Sequence, residues 1–172
     1  LIRLAQLLAP LDADEAVNVM HQLRYSNADQ RLVRILVAHG KPPERETIER
    51  QQARALFRAI GKDRLMIWAD FLKSYSFNYA FAWLYSANEE VAANMVFSPR
   101  DLVFKGEDVI AIVGKQGPRV SEILNGLVEF TDQDPANNQY DTLRAEDILL
   151  FDTARDNGEL VDAAESVRTI FQ

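Results

Sequence analysis

Apolar residues recur at intervals of three and four along almost the whole chain, which is the spacing of one face of an α-helix. Capping residues, glycines and prolines divide this pattern into separate segments. We expect helices at about residues 2–8, 12–24, 26–40, 44–60, 62–73, 77–95, 106–113, 118–130, 142–153 and 159–171. The sequence therefore predicts an all-α protein with short loops.

A break at Ser98-Pro99-Arg100 separates two groups of predicted helices. Proline lacks a backbone N–H and disfavours helix in the residue before it, so a Ser-Pro pair marks a boundary between elements. The sequence predicts a multi-helix body over residues 1–97 and a helical tail subdomain over residues 98–172.

Residues 75–85 carry two conflicting patterns. Their aromatic residues alternate with a period of two, which by itself indicates a strand. The other phase is also largely apolar, the following residues favour helix, and no second strand is available to pair with it. We therefore predict one buried helix over residues 77–95, with its aromatic side chains in the core. The alternative is that the rings are exposed and stack on nucleic-acid bases.

The composition is that of a globular protein, with 172 residues of which 48% are hydrophobic. The chain has no cysteine, which excludes disulfides and zinc–thiolate sites and fits a reducing, cytoplasmic location. No apolar run approaches the roughly 18 residues of a membrane span, so no membrane partner is expected. Because the chain starts within what reads as a helix, we expect it to be part of a longer protein.

The net charge of −7 hides an asymmetry along the chain. Residues 129–172 contain 11 acidic and three basic residues, whereas residues 1–128 contain 15 acidic and 16 basic ones. Residues 31–73 alone contain ten basic and five acidic residues. A basic middle is typical of a surface that faces a polyanion, although a solvated charged face produces the same pattern.

Three arginines in this basic region, Arg50, Arg54 and Arg58, are spaced four residues apart. On a helix they form one ridge with steps of about 6 Å, which could follow a sugar-phosphate backbone. The alternative is a solvated face on which Glu46, four residues before Arg50, forms an ordinary ion pair.

A second candidate for phosphate binding is the turn from Gly114 to Pro118. Glycine ends one helix and proline starts the next, so the sequence predicts a helix, a tight turn and a helix. The backbone amides at the start of the second helix would face outward beside Lys115 and Arg119, where a phosphate can bind. The alternative is a helical hairpin that only packs.

Residues 100–145 resemble the C-terminal body-and-tail region of class II CCA-adding tRNA nucleotidyltransferases. The resemblance rests on Phe104, Gly106, Asp108, Val109, the Gly114/Gly117/Pro118 turn, Ile123, Leu124, Leu127 and an asparagine at 137 or 138. It is looser over residues 1–100, where the helical layout and Leu23-Arg24-Tyr25-Ser26 fit the family's body, and it is absent after about residue 150.

The resemblance implies that this chain is the non-catalytic, tRNA-binding part of such an enzyme, and a related poly(A) polymerase is left open. Magnesium and CTP or ATP would belong to the family's head domain and not to this chain. The RNA would be recognised through its shape and backbone. The residues expected to contact it are Arg50, Arg54, Arg58, Lys105, Lys115, Gly117 and Arg119.

No catalytic or metal-binding residues are expected in this chain, because His21 and His39 each stand alone and no phosphate loop is present. The alternative function is a helical protein-interaction or oligomerisation module without an RNA role, and a homo-oligomer is a further possible partner. Salt-dependent binding of tRNA distinguishes the two functions.

Overall fold

The computed structural model describes residues 1–147, and every regular element in that part of the chain is helical. The all-α fold predicted from the hydrophobic spacing is therefore confirmed. The α-helices are α1 (Ile2–Leu8), α2 (Ala13–Gln22), α3 (Asn27–Ala38), α4 (Arg50–Ile60), α5 (Leu65–Leu72), α6 (Phe77–Ala92), α7 (Gly106–Val113) and α8 (Pro118–Thr131). Residues 140–147 are also helical.

Four short 3-10 turns connect these helices, at Arg45–Thr47, Lys62–Arg64, Pro99–Asp101 and Pro135–Asn137. The predicted helix at 159–171, and the end of the one at 142–153, lie outside the described residues. Between residues 1 and 147, no helix is long and apolar enough to cross a bilayer.

The chain divides into two compact units, the first covering Leu1–Phe97 and the second beginning at Ser98. In the first unit, α2 starts with a reciprocal capping arrangement. The Asp12 carboxylate accepts the Glu15 amide at 2.8 Å, and the Glu15 carboxylate accepts the Asp12 amide at 3.2 Å. These bonds satisfy amides that a helix start would otherwise leave unpaired.

The prediction of one helix over residues 44–60 is wrong. Residues 45–47 form a 3-10 turn, Ile48 is extended with φ −120° and ψ 149°, and α4 begins at Arg50. The Glu44 carbonyl accepts both the backbone amide of Thr47 at 3.0 Å and its hydroxyl at 2.7 Å. Threonine thus closes the chain into a three-residue turn, which competes with the helix that the apolar spacing indicates.

The core of the first unit is centred on three rings from three helices. Phe57 of α4, Trp68 of α5 and Trp83 of α6 meet edge to face, with ring centroids 5.6 to 6.3 Å apart. All three side chains are fully buried. The indole N–H of Trp68 donates to the carbonyl of His39 at 2.8 Å, so the one polar atom of that ring is satisfied. Aromatic pairs of this geometry contribute about 1 kcal/mol each beyond their burial.

Helix α6 confirms that residues 77–92 are helical, but the prediction that its aromatic residues are core is only partly right. Trp83 is fully buried and Tyr79 is half-buried. Phe77, Phe81 and Tyr85 are 68%, 60% and 57% exposed. The reason is geometric, since a step of four residues turns about 40° around a helix and a step of two turns about 200°. Aromatic residues with a period of two therefore form two stripes on opposite faces, one in the core and one in solvent.

The second unit packs α7 against α8 through buried apolar side chains. Its core contains Leu102, Phe104, Val109, Val120, Ile123, Leu127, Val128 and Leu143. Asn138 ties the loop before α7 to the loop after α8, because its side chain accepts the Val103 amide at 2.9 Å and donates to the Asp101 carbonyl at 3.2 Å. These contacts close the end of the hairpin opposite the turn between α7 and α8.

Candidate nucleic-acid interface

The predicted arginine ridge on α4 is organised by a carboxylate on α6. Glu90 is 1% exposed, and its two oxygens accept hydrogen bonds from Arg50 Nε and Arg54 Nε. The second of these bonds is 2.6 Å long. A buried carboxylate requires this kind of partner, because its desolvation costs several kcal/mol when it is left unpaired.

The three arginines therefore differ in how much of the side chain is available to a ligand. The Arg50 side chain is 58% exposed, the Arg54 side chain is 6% exposed, and Arg58 is half-buried. The prediction of an exposed ridge of three guanidiniums is wrong for Arg54, because Glu90 draws that guanidinium into the core. The alternative pair between Glu46 and Arg50 is not formed, since Glu46 precedes α4 and Arg50 is bound to Glu90.

The turn between α7 and α8 has the conformation that its glycine and proline predict. Gly114 ends α7 in the left-handed region, with φ 82° and ψ −7°, and its amide donates to the Ile110 carbonyl at 2.8 Å. Pro118 is the first residue of α8, and Gly117 before it is extended. No side chain caps the start of α8. Pro118 has no N–H and the Val120 amide donates to the Gly117 carbonyl at 3.1 Å, so the Arg119 amide is the one that the first three residues of α8 offer to an anion at this turn.

The two cations of this turn differ in their surroundings. Lys115 is exposed within the loop. Arg119 lies in the first turn of α8, its side chain is 26% exposed, and its Nη1 is 3.2 Å from Glu122 Oε2. The Nε of Arg119 is buried without a hydrogen-bond partner. A phosphate at this turn would meet Lys115 directly, whereas Arg119 would first have to exchange Glu122 for the ligand.

Lys105 lies just before α7 and has a structural role at that end of the helix. Its backbone amide donates to Asp108 Oδ2 at 2.7 Å, and its Nζ donates to the Arg100 carbonyl at 2.9 Å. The other carboxylate oxygen of Asp108 accepts the Tyr140 hydroxyl at 3.0 Å, and this bond raises the pKa of Tyr140. Lys105 is exposed, so its ammonium retains donors for a further acceptor.

Most residues that carry the family resemblance lie in the core or cap a helix. Phe104, Val109, Ile123 and Leu127 are buried, and Asn138 joins two loops as described above. A Cβ on Gly106 would lie 3.7 Å from Leu124, an ordinary contact distance. The similarity in this stretch thus concerns mainly how the hairpin is built.

Three features of the structure are not among the site residues predicted from the sequence. Glu90 is one, and its partner Arg54 is 36 positions away in the chain. The exposed aromatic face of α6 is the second. The third is Asp147, whose side chain is fully buried without a hydrogen-bond partner, so that burial raises its pKa to about 6. Only the aromatic face had a signal in the sequence, namely rings recurring every four residues.

Within residues 1–147, no three carboxylates or histidines lie close enough together to hold a metal ion. Magnesium, CTP and ATP stay a prediction about the head domain of the family that the sequence resembles. Comparison with protein-family models, with curated proteins and with solved structures found no match.

Proposed function

We propose that this chain is the non-catalytic, tRNA-binding part of a tRNA nucleotidyltransferase of the CCA-adding class, acting in the cytoplasm. The observation that carries the proposal is the turn between α7 and α8, where an uncapped helix start lies beside the exposed Lys115. Backbone amides and a lysine bind phosphate without reading a base, as a protein that accepts many tRNAs requires. The resemblance over residues 100–145 supports the same function.

The turn supplies the principal contact in this proposal. Lys115 and the Arg119 amide bind one phosphate of the tRNA backbone at the positive end of the α8 dipole. Gly117 lets this phosphate approach closely, because a side chain there would add bulk beside the amide. A Cβ at Gly117 would meet no protein atom within 4 Å, so nothing in the fold itself requires glycine at this position. Arg119 flanks the site, and Lys105, at the opposite end of α7, adds positive charge to the same unit.

On α4, the sequence predicted that three arginines contact the tRNA, and we propose that Arg50 makes the principal contact. Arg50 reaches solvent while keeping its bond to Glu90. Arg54 instead stabilises the position of Glu90 and so of Arg50. Arg58, which is half-buried, adds charge at the other end of the helix.

The test is a titration of the full chain with fluorescently labelled tRNA lacking its terminal CCA, repeated at several salt concentrations. We expect Lys115→Ala to weaken binding and to reduce the slope of log K against log salt by roughly 0.9, the value for one phosphate contact. Arg50→Ala should act in the same direction. Lys73→Ala is the matched control, since Lys73 is an exposed lysine whose ammonium pairs with Asp70 at 2.6 Å.

Equal effects of Lys115→Ala and Lys73→Ala would contradict the proposed site. Absence of salt-dependent binding by the unaltered chain would contradict the RNA function and favour the interaction module. Incorporation of labelled nucleotide by the chain with CTP, ATP and magnesium would contradict its non-catalytic role.

A further inference from the structure

The exposed face of α6 carries a continuous strip of aromatic rings, Phe77, Phe81 and Tyr85, which we call the aromatic strip. The ring centroids of Phe77 and Phe81 are 6.5 Å apart, and those of Phe81 and Tyr85 are 6.4 Å apart. Each ring is more than half exposed. Single exposed apolar residues are common, but three adjacent rings along roughly 12 Å of helix form a patch of the kind found at binding sites.

A groove runs beside this strip, between α6 and residues 41–46. It consists of two adjoining cavities of about 950 and 380 Å³, and Glu46 and Ala82 line both. Phe81 and Tyr85 form a wall of the smaller cavity, so the groove is continuous with the aromatic strip. Tyr75 and the Pro42-Pro43 pair line the larger one.

The two walls of the groove are held together by specific contacts. The hydroxyl of Tyr79 on α6 donates to the carbonyl of Pro42. Arg45 donates from Nε to the Ser86 hydroxyl at 2.7 Å and from Nη1 to the Ile48 carbonyl at 3.1 Å. Its guanidinium also lies 5.8 Å from the centroid of the Trp83 ring. A groove fixed in this way loses little entropy when a ligand binds.

The charges along the groove favour a cationic ligand. Glu44, Glu46 and Glu89 line it, all three are exposed, and none forms an ion pair with another residue of the described chain. Arg45 is half-buried, and its bond to Ser86 turns it toward α6. Lys41 is therefore the exposed cation among the lining residues. A polyanion such as RNA would meet three unpaired carboxylates here, so the charges argue against it.

We propose that this groove binds an arginine-bearing segment of a partner protein. Apolar side chains of the segment pack on the aromatic strip, and a guanidinium lies between Glu46 and Glu89 and against the ring of Phe81 or Tyr85. Arginine suits this combination because its planar group pairs with carboxylates in a bidentate way and stacks on aromatic faces. None of the residues that line the groove is among those proposed to contact tRNA, and the proposal does not depend on that function.

The experiment measures fluorescence anisotropy of a labelled octapeptide of alternating leucine and arginine on titration with the full chain. Peptides of alternating leucine and lysine, and of leucine and glutamate, are compared with it, together with a labelled oligouridylate. We expect saturable binding of the arginine peptide, weaker binding of the lysine peptide, and none of the glutamate peptide. Any binding of oligouridylate is expected to be insensitive to changes in the groove.

Two double variants, Phe81→Ser/Tyr85→Ser and Glu46→Gln/Glu89→Gln, test the two halves of the site. Each should lower the affinity for the arginine peptide roughly tenfold or more. The reason is that aromatic and paired-charge contacts at the centre of an interface contribute most of the binding energy. The first control is Leu23→Ser/Met66→Ser, which alters two side chains of similar exposure in the same unit. The second is Glu107→Gln/Glu129→Gln, which removes the same charge from exposed positions of the second unit.

All the altered residues are exposed, and circular dichroism of each variant checks that the helices are retained. Equal weakening in the controls and the groove variants would overturn the proposal, because binding would then follow net charge or general apolarity. Absence of saturable binding by the arginine peptide would also overturn it. A dimer of the chain that dissociates in Phe81→Ser/Tyr85→Ser would overturn it as well, because a second copy would then occupy the strip.

Discussion

The Nε of Arg54 lies 2.6 Å from Oε2 of Glu90, and both side chains are buried in the first unit. Removal of Arg54 leaves one oxygen of the buried Glu90 without its partner, while Arg50 still pairs with the other oxygen. We therefore expect Arg54→Ala to lower the free energy of unfolding by about 3 kcal/mol, the low end of the range for breaking a buried pair. Arg50→Ala should lower it by about 1 kcal/mol or less, since that side chain is largely in solvent. Urea unfolding followed by tryptophan fluorescence measures this in the first unit alone, because both tryptophans, Trp68 and Trp83, lie there.

A double variant separates the ion pair from side-chain volume. Arg54→Met combined with Glu90→Leu should recover most of the stability lost in Arg54→Ala, because no unpaired charge is then buried. Arg34→Ala is the control, since Arg34 forms an exposed pair with Asp14 at 2.8 Å. If Arg54→Ala lowered the free energy of unfolding no more than Arg34→Ala, the buried pair would not stabilise the first unit as predicted.

Gly40 has no room for a side chain, because protein atoms lie where its Cβ would be. A Cβ there would lie 2.5 Å from the Leu36 carbonyl oxygen and 2.6 Å from Phe71 Cε1. We predict that Gly40→Ala destabilises the first unit by about 1–3 kcal/mol through overpacking, measured by the same fluorescence assay. Gly61→Ala is the comparison: its φ of 90° imposes backbone strain of about 1 kcal/mol, and its closest contact is the flexible end of Arg64. A neutral Gly40→Ala would show that the site can relax.

Asp147 should make the second unit less stable as the pH rises through the acidic range. Burial raises the pKa of its carboxyl from 3.8 to about 6 in the folded chain. The folded state thus favours the protonated carboxyl. The contribution of Asp147 to the free energy of unfolding is therefore most favourable below pH 3.8 and is lost as the pH rises to about 6. Asp147→Asn should remove this loss and raise stability at pH 7.5 by at most ~3 kcal/mol, measured by circular dichroism during thermal unfolding. An unchanged pH profile in Asp147→Asn would contradict the effect.

His39 should make the first unit less stable as the pH falls, which is the opposite of the pH dependence expected from Asp147. Burial lowers its pKa from 6.5, so the folded state favours the neutral ring. Its contribution is present above pH 6.5 and is lost as the pH falls, because the unfolded chain takes up the proton more readily. We expect His39→Gln to flatten the loss of stability as the pH falls below 6.5, measured by tryptophan fluorescence. His21→Gln, at an exposed position on α2, is the matched variant, and equal flattening in both would rule out a specific role for His39.

The helical elements could be predicted from the sequence because local physics decides them. Asp12 caps α2 through amides two and three residues away, and Gly114 and Pro118 set the turn through their own backbone conformations. The failure at residues 44–49 is also local in origin. Thr47 closes a turn on the Glu44 carbonyl, and the apolar spacing of the segment contains no sign of that bond.

The sequence by itself determined that Arg50, Arg54 and Arg58 share a side of one helix. The helical repeat also places the aromatic residues of α6 on two opposite stripes, although the prediction put them all in the core. Only the tertiary structure decided which stripe is buried and which arginine is withdrawn from solvent. The helical repeat fixes directions within one element, whereas burial depends on what lies opposite. For Arg54 that is a carboxylate 36 positions away, and for Trp83 it is the rings of Phe57 and Trp68, brought together by packing of α4, α5 and α6.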